Sequence, residues 1–202
     1  MHALRIGLLS DTHMPYRMRR LPDAVRETFA GVDLILHAGD VDRPEALDPL
    51  RAIAPVYAVR GNFHVLDLSD GGAALPAVVD LHLAGQRVVV THGHQPGIFG
   101  FALKGLDVLG QWMKVADKER LNQRLGHRLT RLYPGADVII FGHSHRVHVE
   151  WVGDTLLVNP GAVCAAPVDP DPPTVARMRL GAGPPEVEIV PLSMHGRPGL
   201  TR

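Results

Sequence analysis

Asp, His and Asn recur in this sequence where short apolar runs stop. Residues 4–9 lead into Ser10-Asp11-Thr12-His13, and the run that starts at Val32 leads into Gly39-Asp40. Residues 56–59 lead into Arg60-Gly61-Asn62, residues 88–90 into Thr91-His92-Gly93-His94, and residues 138–141 into Gly142-His143-Ser144-His145. Asp11 and His13 stand two apart in a loop, so both can turn toward one ion. Asp40 and Asn62 add oxygen donors, and His92, His143 and His145 add imidazoles. This mixed donor set suits Mn²⁺, Fe²⁺, Ni²⁺ or Zn²⁺, with Mn²⁺ first, rather than Ca²⁺ or Mg²⁺, which prefer oxygen alone. It is too large for one tetrahedral site and fits two ions about 3.5–4 Å apart that share a carboxylate. Asp40 is the candidate bridge. Two divalent cations against two aspartates leave a net positive charge that would draw in a phosphate.

These residues need elements that make them converge. In an open α/β sheet, ligands lie outside the carboxyl ends of the strands, where each of these motifs falls. The chain opens with a strand at 3–9 and a helix after Pro22 whose Val25 and Phe29 share a face. A second helix is expected over 44–53, with Leu47 and Leu50 inward and Pro49 as its weak point. Residues 77–83 and 86–90 read as a hairpin across Ala84-Gly85, and residues 65–75 as loop. A helix over 117–133 carries Leu121, Leu125, Leu129 and Leu132 as its apolar stripe, with Arg120, Arg124, Arg128 and Arg131 opposite. That arginine row reads as a solvated face in preference to a phosphate-steering surface. Hairpins over 147–158 and 174–190 complete a two-layered β core with helices outside. Residues 98–113 read as an irregular helix over the sheet, with a lid or a contact in a homo-oligomer as the second reading.

Bulk properties set limits. The 202 residues are expected to form a single domain, residues 1–202, and 46% hydrophobic content suffices for a sizeable core. Lys plus Arg and Asp plus Glu number 21 each, which argues against long nucleic acids and anionic membranes as partners. The lone Cys164 precludes an internal disulfide and fits a reducing compartment. With no apolar run long enough to span a bilayer, the expected location is the cytoplasm.

The motifs Ser10-Asp11-Thr12-His13, Gly39-Asp40, Arg60-Gly61-Asn62, Thr91-His92-Gly93-His94, Gly142-His143-Ser144-His145 and Asn159-Pro160-Gly161 resemble, in order, those of the calcineurin-like metallophosphoesterases. The pattern is nearest to their small prokaryotic phosphodiesterase branch. The resemblance implies an α/β fold, a four-layer αββα sandwich with mixed sheets. It also implies that Asp11, His13, Asp40 and His145 hold one metal, and Asp40, Asn62, His92 and His143 a second. Hydrolysis would then proceed by in-line attack of a hydroxide bridging the two ions.

One departure bears on the substrate. Phosphomonoesterases of the family commonly read Gly-Asn-His-Asp, whereas Gly61-Asn62 is followed here by Phe63 and His64. Phe63 cannot protonate a leaving group, which favours diesters with good leaving groups, or small nucleotides, over monoester dianions. His64 is read either as replacing the missing acid in part or contacting the leaving group, or as a histidine at the surface or behind the site, and His94 is expected to line the pocket or orient His92. The alternatives are a phosphomonoesterase or nucleotidase, and a metal-free interaction scaffold of the same fold. His2, His37, His82, His127, His148 and His195 are read as structural or surface residues.

Overall fold

The computed structural model describes residues 3–61, 75–93, 118–164 and 171–193. Its strands are β1 (Leu4–Leu9), β2 (Leu34–His37), β3 (Val56–Ala58), β4 (Val78–Leu83), β5 (Gln86–Thr91), β6 (Val138–Ile140), β7 (Val147–Val152), β8 (Thr155–Pro160), β9 (Thr174–Leu180) and β10 (Glu186–Pro191). The helices are α1 (Asp23–Thr28), α2 (Asp48–Arg51) and α3 (Lys118–Leu132).

Two mixed five-stranded sheets form, one in the order β10-β9-β1-β2-β3 and the other β4-β5-β6-β8-β7. β1 lies parallel to β2 and antiparallel to β9, while β6 lies parallel to both β5 and β8. Side chains alternate across each strand, so one set from each sheet meets in the middle. Ile6, Leu8, Leu34, Leu36 and Met178 from the first sheet pack there with Val88, Val90, Ile140, Leu156 and Val158 from the second.

The opposite faces are covered by helices. Val25, Phe29, Leu47 and Leu50 cover Leu9, Ile35 and Val175, and Leu125 and Leu129 of α3 cover Val89, Ile139 and Leu157. The layers are therefore helix, sheet, sheet, helix. Gly7 sits under the Phe29 ring, which a Cβ there would meet at 3.0 Å, so this outward position of β1 is empty to let α1 approach.

Two expected helices differ in detail. The one expected over 44–53 is broken into a 3-10 turn, Pro44–Leu47, and α2. Pro49 has no N–H for the carbonyl four residues back, so a continuous α ladder cannot run through it. In α3, Leu132 is 53% exposed and does not belong to the buried stripe. The helix turns Asn122, Leu125, Gly126 and Leu129 inward, with Tyr133 packed just beyond its end. Leu132, three residues after Leu129 and seven after Leu125, has the period of that face, yet as the last residue of the helix it is left exposed. Residues 98–113 and most of 65–75 lie outside the described residues.

Candidate metal centre

The loop after β1 and the loop after β2 are zipped together by backbone hydrogen bonds. Asp11 N donates to Gly39 O at 3.0 Å, and His13 N donates to Asp40 O at 2.9 Å. Both loops carry non-glycine residues in the left-handed region, Asp11 and His13 at φ 54° and 46°, Asp40 and Asp42 at 56° and 63°. That conformation reverses the chain at each strand end and turns side chains two residues apart to the same place. His143 and His145, after β6, repeat the pattern at φ 75° and 59°.

As a result Asp11, His13, Asp40 and His145 each offer one donor atom within 4.8 Å of all the others. His13 Nε2 lies 3.4 Å from His145 Nε2 and 3.4 Å from Asp40 Oδ2, and His145 Nε2 lies 3.3 Å from Asp11 Oδ1. Asp40 Oδ2 faces a second imidazole, His92 Nε2, also at 3.4 Å. The His92 ring meets His143 edge-on, with centroids 5.3 Å apart. Asp40 thus stands between the four-residue cluster and the pair His92 and His143.

The surroundings hold these groups in place. His92 Nδ1–H donates to Ala38 O at 2.8 Å, which aims Nε2 at Asp40. This backbone carbonyl is one partner that orients His92. Gly39 and Gly61 leave room for the centre. A Cβ on Gly39 would come within 2.6 Å of His92 Nδ1, and one on Gly61 would collide with the Asp40 carboxylate. Ser10 Oγ lies between Asp11 Oδ2 and Gly161 O, at 2.7 and 2.6 Å. Asn159 donates to Gly142 O and to Ser144 Oγ, both at 3.0 Å, and so braces the His143–His145 loop from β8.

Burial works against the Asp40 charge, yet His92 first, then His13 and His143, hold its carboxyl well below the ordinary carboxylate range. Burial also works against a charged His92, but the Asp40 carboxylate and its hydrogen bond, aided by Asp11, raise the imidazole to about 9. His37 behaves oppositely. Burial, then the nearby His92 charge, lowers it to about 3. Its neutral ring accepts from Gly39 N at 3.2 Å, leaving Nε2–H for Thr12 Oγ1, also at 3.2 Å. His37 is thus a buried brace between the β1 and β2 loops, in keeping with its structural reading.

The donor set fits a cation. Asp11 Oδ1 is buried without a hydrogen bond among the described residues, and several imidazole nitrogens and carboxylate oxygens converge with almost no solvent. Such a cluster of lone pairs is costly unless a proton or a metal ion neutralises it. Asn62, His64 and His94 lie outside the described residues. Asp42, buried beside His13, is absent from the sequence-derived set, although Asp40-x-Asp42 repeats the spacing of Asp11-x-His13.

Residues 4–183 match the calcineurin-like phosphoesterase superfamily domain. A probable metallophosphoesterase of Methanocaldococcus jannaschii is 34% identical over 191 residues, covering 94% of this chain and 82% of that protein. The fold is similar to a solved archaeal phosphodiesterase, with TM-score 0.60 and 22% identity over 94% of this chain and 100% of that one. Vps29 of Entamoeba histolytica complexed with Zn²⁺ gives TM-score 0.59 and 20% identity, over 93% and 99% of the two chains.

Proposed function

The chain belongs to the calcineurin-like phosphoesterase superfamily, and from that premise we propose that it hydrolyses small phosphodiesters with two divalent transition-metal ions, Mn²⁺ foremost. The observation that carries this reading is the position of Asp40, with one carboxylate oxygen 3.4 Å from imidazoles on both sides. Asp11, His13, Asp40 and His145 would hold one ion, and Asp40, His92, His143 and Asn62 the other. When bound, the ions supply Lewis-acid charge for the phosphoryl oxygens and acidify the attacking water.

The protein's own groups orient and exclude. Ala38 O keeps Nε2 of His92 directed at Asp40, and the Asn159 brace holds the loop from which His145 faces Asp11 and His143 meets His92. Burial of Asp11, His13, Asp40 and His92 removes competing water, which strengthens every charge interaction in the site. Asn62 would donate an amide hydrogen to a phosphoryl oxygen. His64 is placed in sequence to assist the leaving group, and His94 to line the pocket. Phe63 after Gly61-Asn62 favours diesters over monoesters, since a monoester dianion needs more help from an acid. The likeness to an archaeal phosphodiesterase points the same way.

The test is hydrolysis of bis(p-nitrophenyl) phosphate and p-nitrophenyl phosphate by chelator-stripped protein, with and without Mn²⁺, beside Asp40→Asn. The expected outcome is diester cleavage restored by metal, weak on the monoester, and reduced by more than about 100-fold in the variant, beyond the loss of an outer partner. Monoester cleavage exceeding diester cleavage would replace this reading with a phosphomonoesterase. No bound metal and no activity with any divalent ion would leave a scaffold.

A further inference from the structure

We infer that Asp42 is a positioning residue for His13, setting how strongly that imidazole binds a metal ion. The inference rests on the metal-centre reading above. Asp42 follows Asp40 by two residues, has a left-handed backbone at φ 63°, and is 2% exposed. Its Oδ1 lies 3.4 Å from His13 Nδ1. The other ring nitrogen, Nε2, points away, toward Asp40 Oδ2 and His145 Nε2, each at 3.4 Å. The imidazole is therefore held between two carboxylates, one inside the donor cluster and one behind it.

The placement of Asp42 is hard to explain as scaffolding. Neither of its oxygens has a hydrogen bond among the described residues, and a buried, unsatisfied carboxylate costs stability. At 3.4 Å the Asp42–His13 pair is an ion-pair contact longer than a good hydrogen bond. A cation at Nε2 would fix the ring with its proton on Nδ1, facing Asp42. The pair would then be able to close to a hydrogen bond that fixes the ring plane and raises the basicity of Nε2, as a carboxylate behind a metal-bound histidine does. The loop that supplies Asp40 as a ligand would by the same turn supply the partner for a ligand on the neighbouring loop.

The experiment is Mn²⁺ titration calorimetry on the stripped full chain as wild type, Asp42→Asn and Asp42→Gly. Asn and Gly both accept a left-handed backbone, so the loop is preserved while the charge, or the whole side chain, is removed. Affinity is expected to fall about 10-fold for Asp42→Asn and up to about 100-fold for Asp42→Gly, with unchanged circular dichroism. In the zinc-loaded protein, a slowly exchanging His13 Nδ1–H resonance should be present in the wild type and absent from Asp42→Gly. Wild-type affinity in both variants would overturn the inference and leave the phosphodiesterase reading standing. Failure of the wild type itself to bind Mn²⁺ and Zn²⁺ would overturn both.

Discussion

The two ends of the β-sandwich differ in which side chains they place at left-handed bends. Where β4, β7 and β9 finish, the chain reverses through Ala84-Gly85, Gly153-Asp154 and residues 181–183, and Gly85 and Gly153 take the left-handed conformations. Where β1, β2 and β6 finish, Asp11, His13, Asp40, Asp42, His143 and His145 take positive φ as well, alongside Gly39, Gly93 and Gly161 at the same end. Among the described residues Ala84 is the one other non-glycine residue with positive φ. Glycine would adopt that backbone without penalty, whereas a side chain costs about 1–2 kcal/mol at each position. The charges differ as well. Arg87–Asp80 and Arg177–Glu188 are solvent-facing pairs, but the groups around Asp40 are almost wholly buried. One end turns mainly through glycine with solvent-facing ion pairs, and the other keeps strain and buried polarity at the bends that carry the candidate donors.

The largest expected effect sharpens this contrast through the core that joins the ends. Ile6→Ala removes a fully buried side chain between the sheets and should lower unfolding free energy by about 2–5 kcal/mol. The folded fraction should still bind Mn²⁺ with wild-type affinity, as denaturant melts and calorimetry on the same samples would report. A parallel loss of affinity would mean that the site is not independent of the core.

Next in size is a pH effect peculiar to the site end. His92 is raised from 6.5 to about 9 without metal, so at neutral pH its ring is protonated and must lose a proton before Nε2 can bind a cation. Affinity for Mn²⁺ should therefore rise by about 10-fold between pH 7 and pH 8. A flat profile would show that His92 is neutral or is not a ligand.

The smallest effects come from relieving strain at each end. Ala84→Asn, in the two-residue turn, should stabilise by roughly 0.5–1 kcal/mol with no change in metal affinity. His145→Gly should stabilise the metal-free protein by a similar amount, roughly 1 kcal/mol, yet weaken metal binding. If both variants changed stability and left affinity intact, the strain at the site end would have no functional purpose.

Much of this was legible in the residues. The short continuous apolar runs located the central strands because both faces of β1, β2 and β6 are buried, and the motif ends marked where donor atoms would gather. The stripe on α3 was misplaced by one residue at its end, since Leu132 has the period of the buried face but is exposed at the helix terminus. Gly7 carried no visible signal, because its emptiness answers Phe29, far away in the chain.

Residue types and short spacings determined the layers, the candidate donors and the family. Tertiary structure alone decided that His92 is oriented by Ala38 O, that His37 is a neutral buried brace, and that Asp42 backs His13. Each of these depends on distances between loops from different strands. Such distances arise from sheet pairing and from the left-handed turns that end the strands, and no local period in the sequence encodes them.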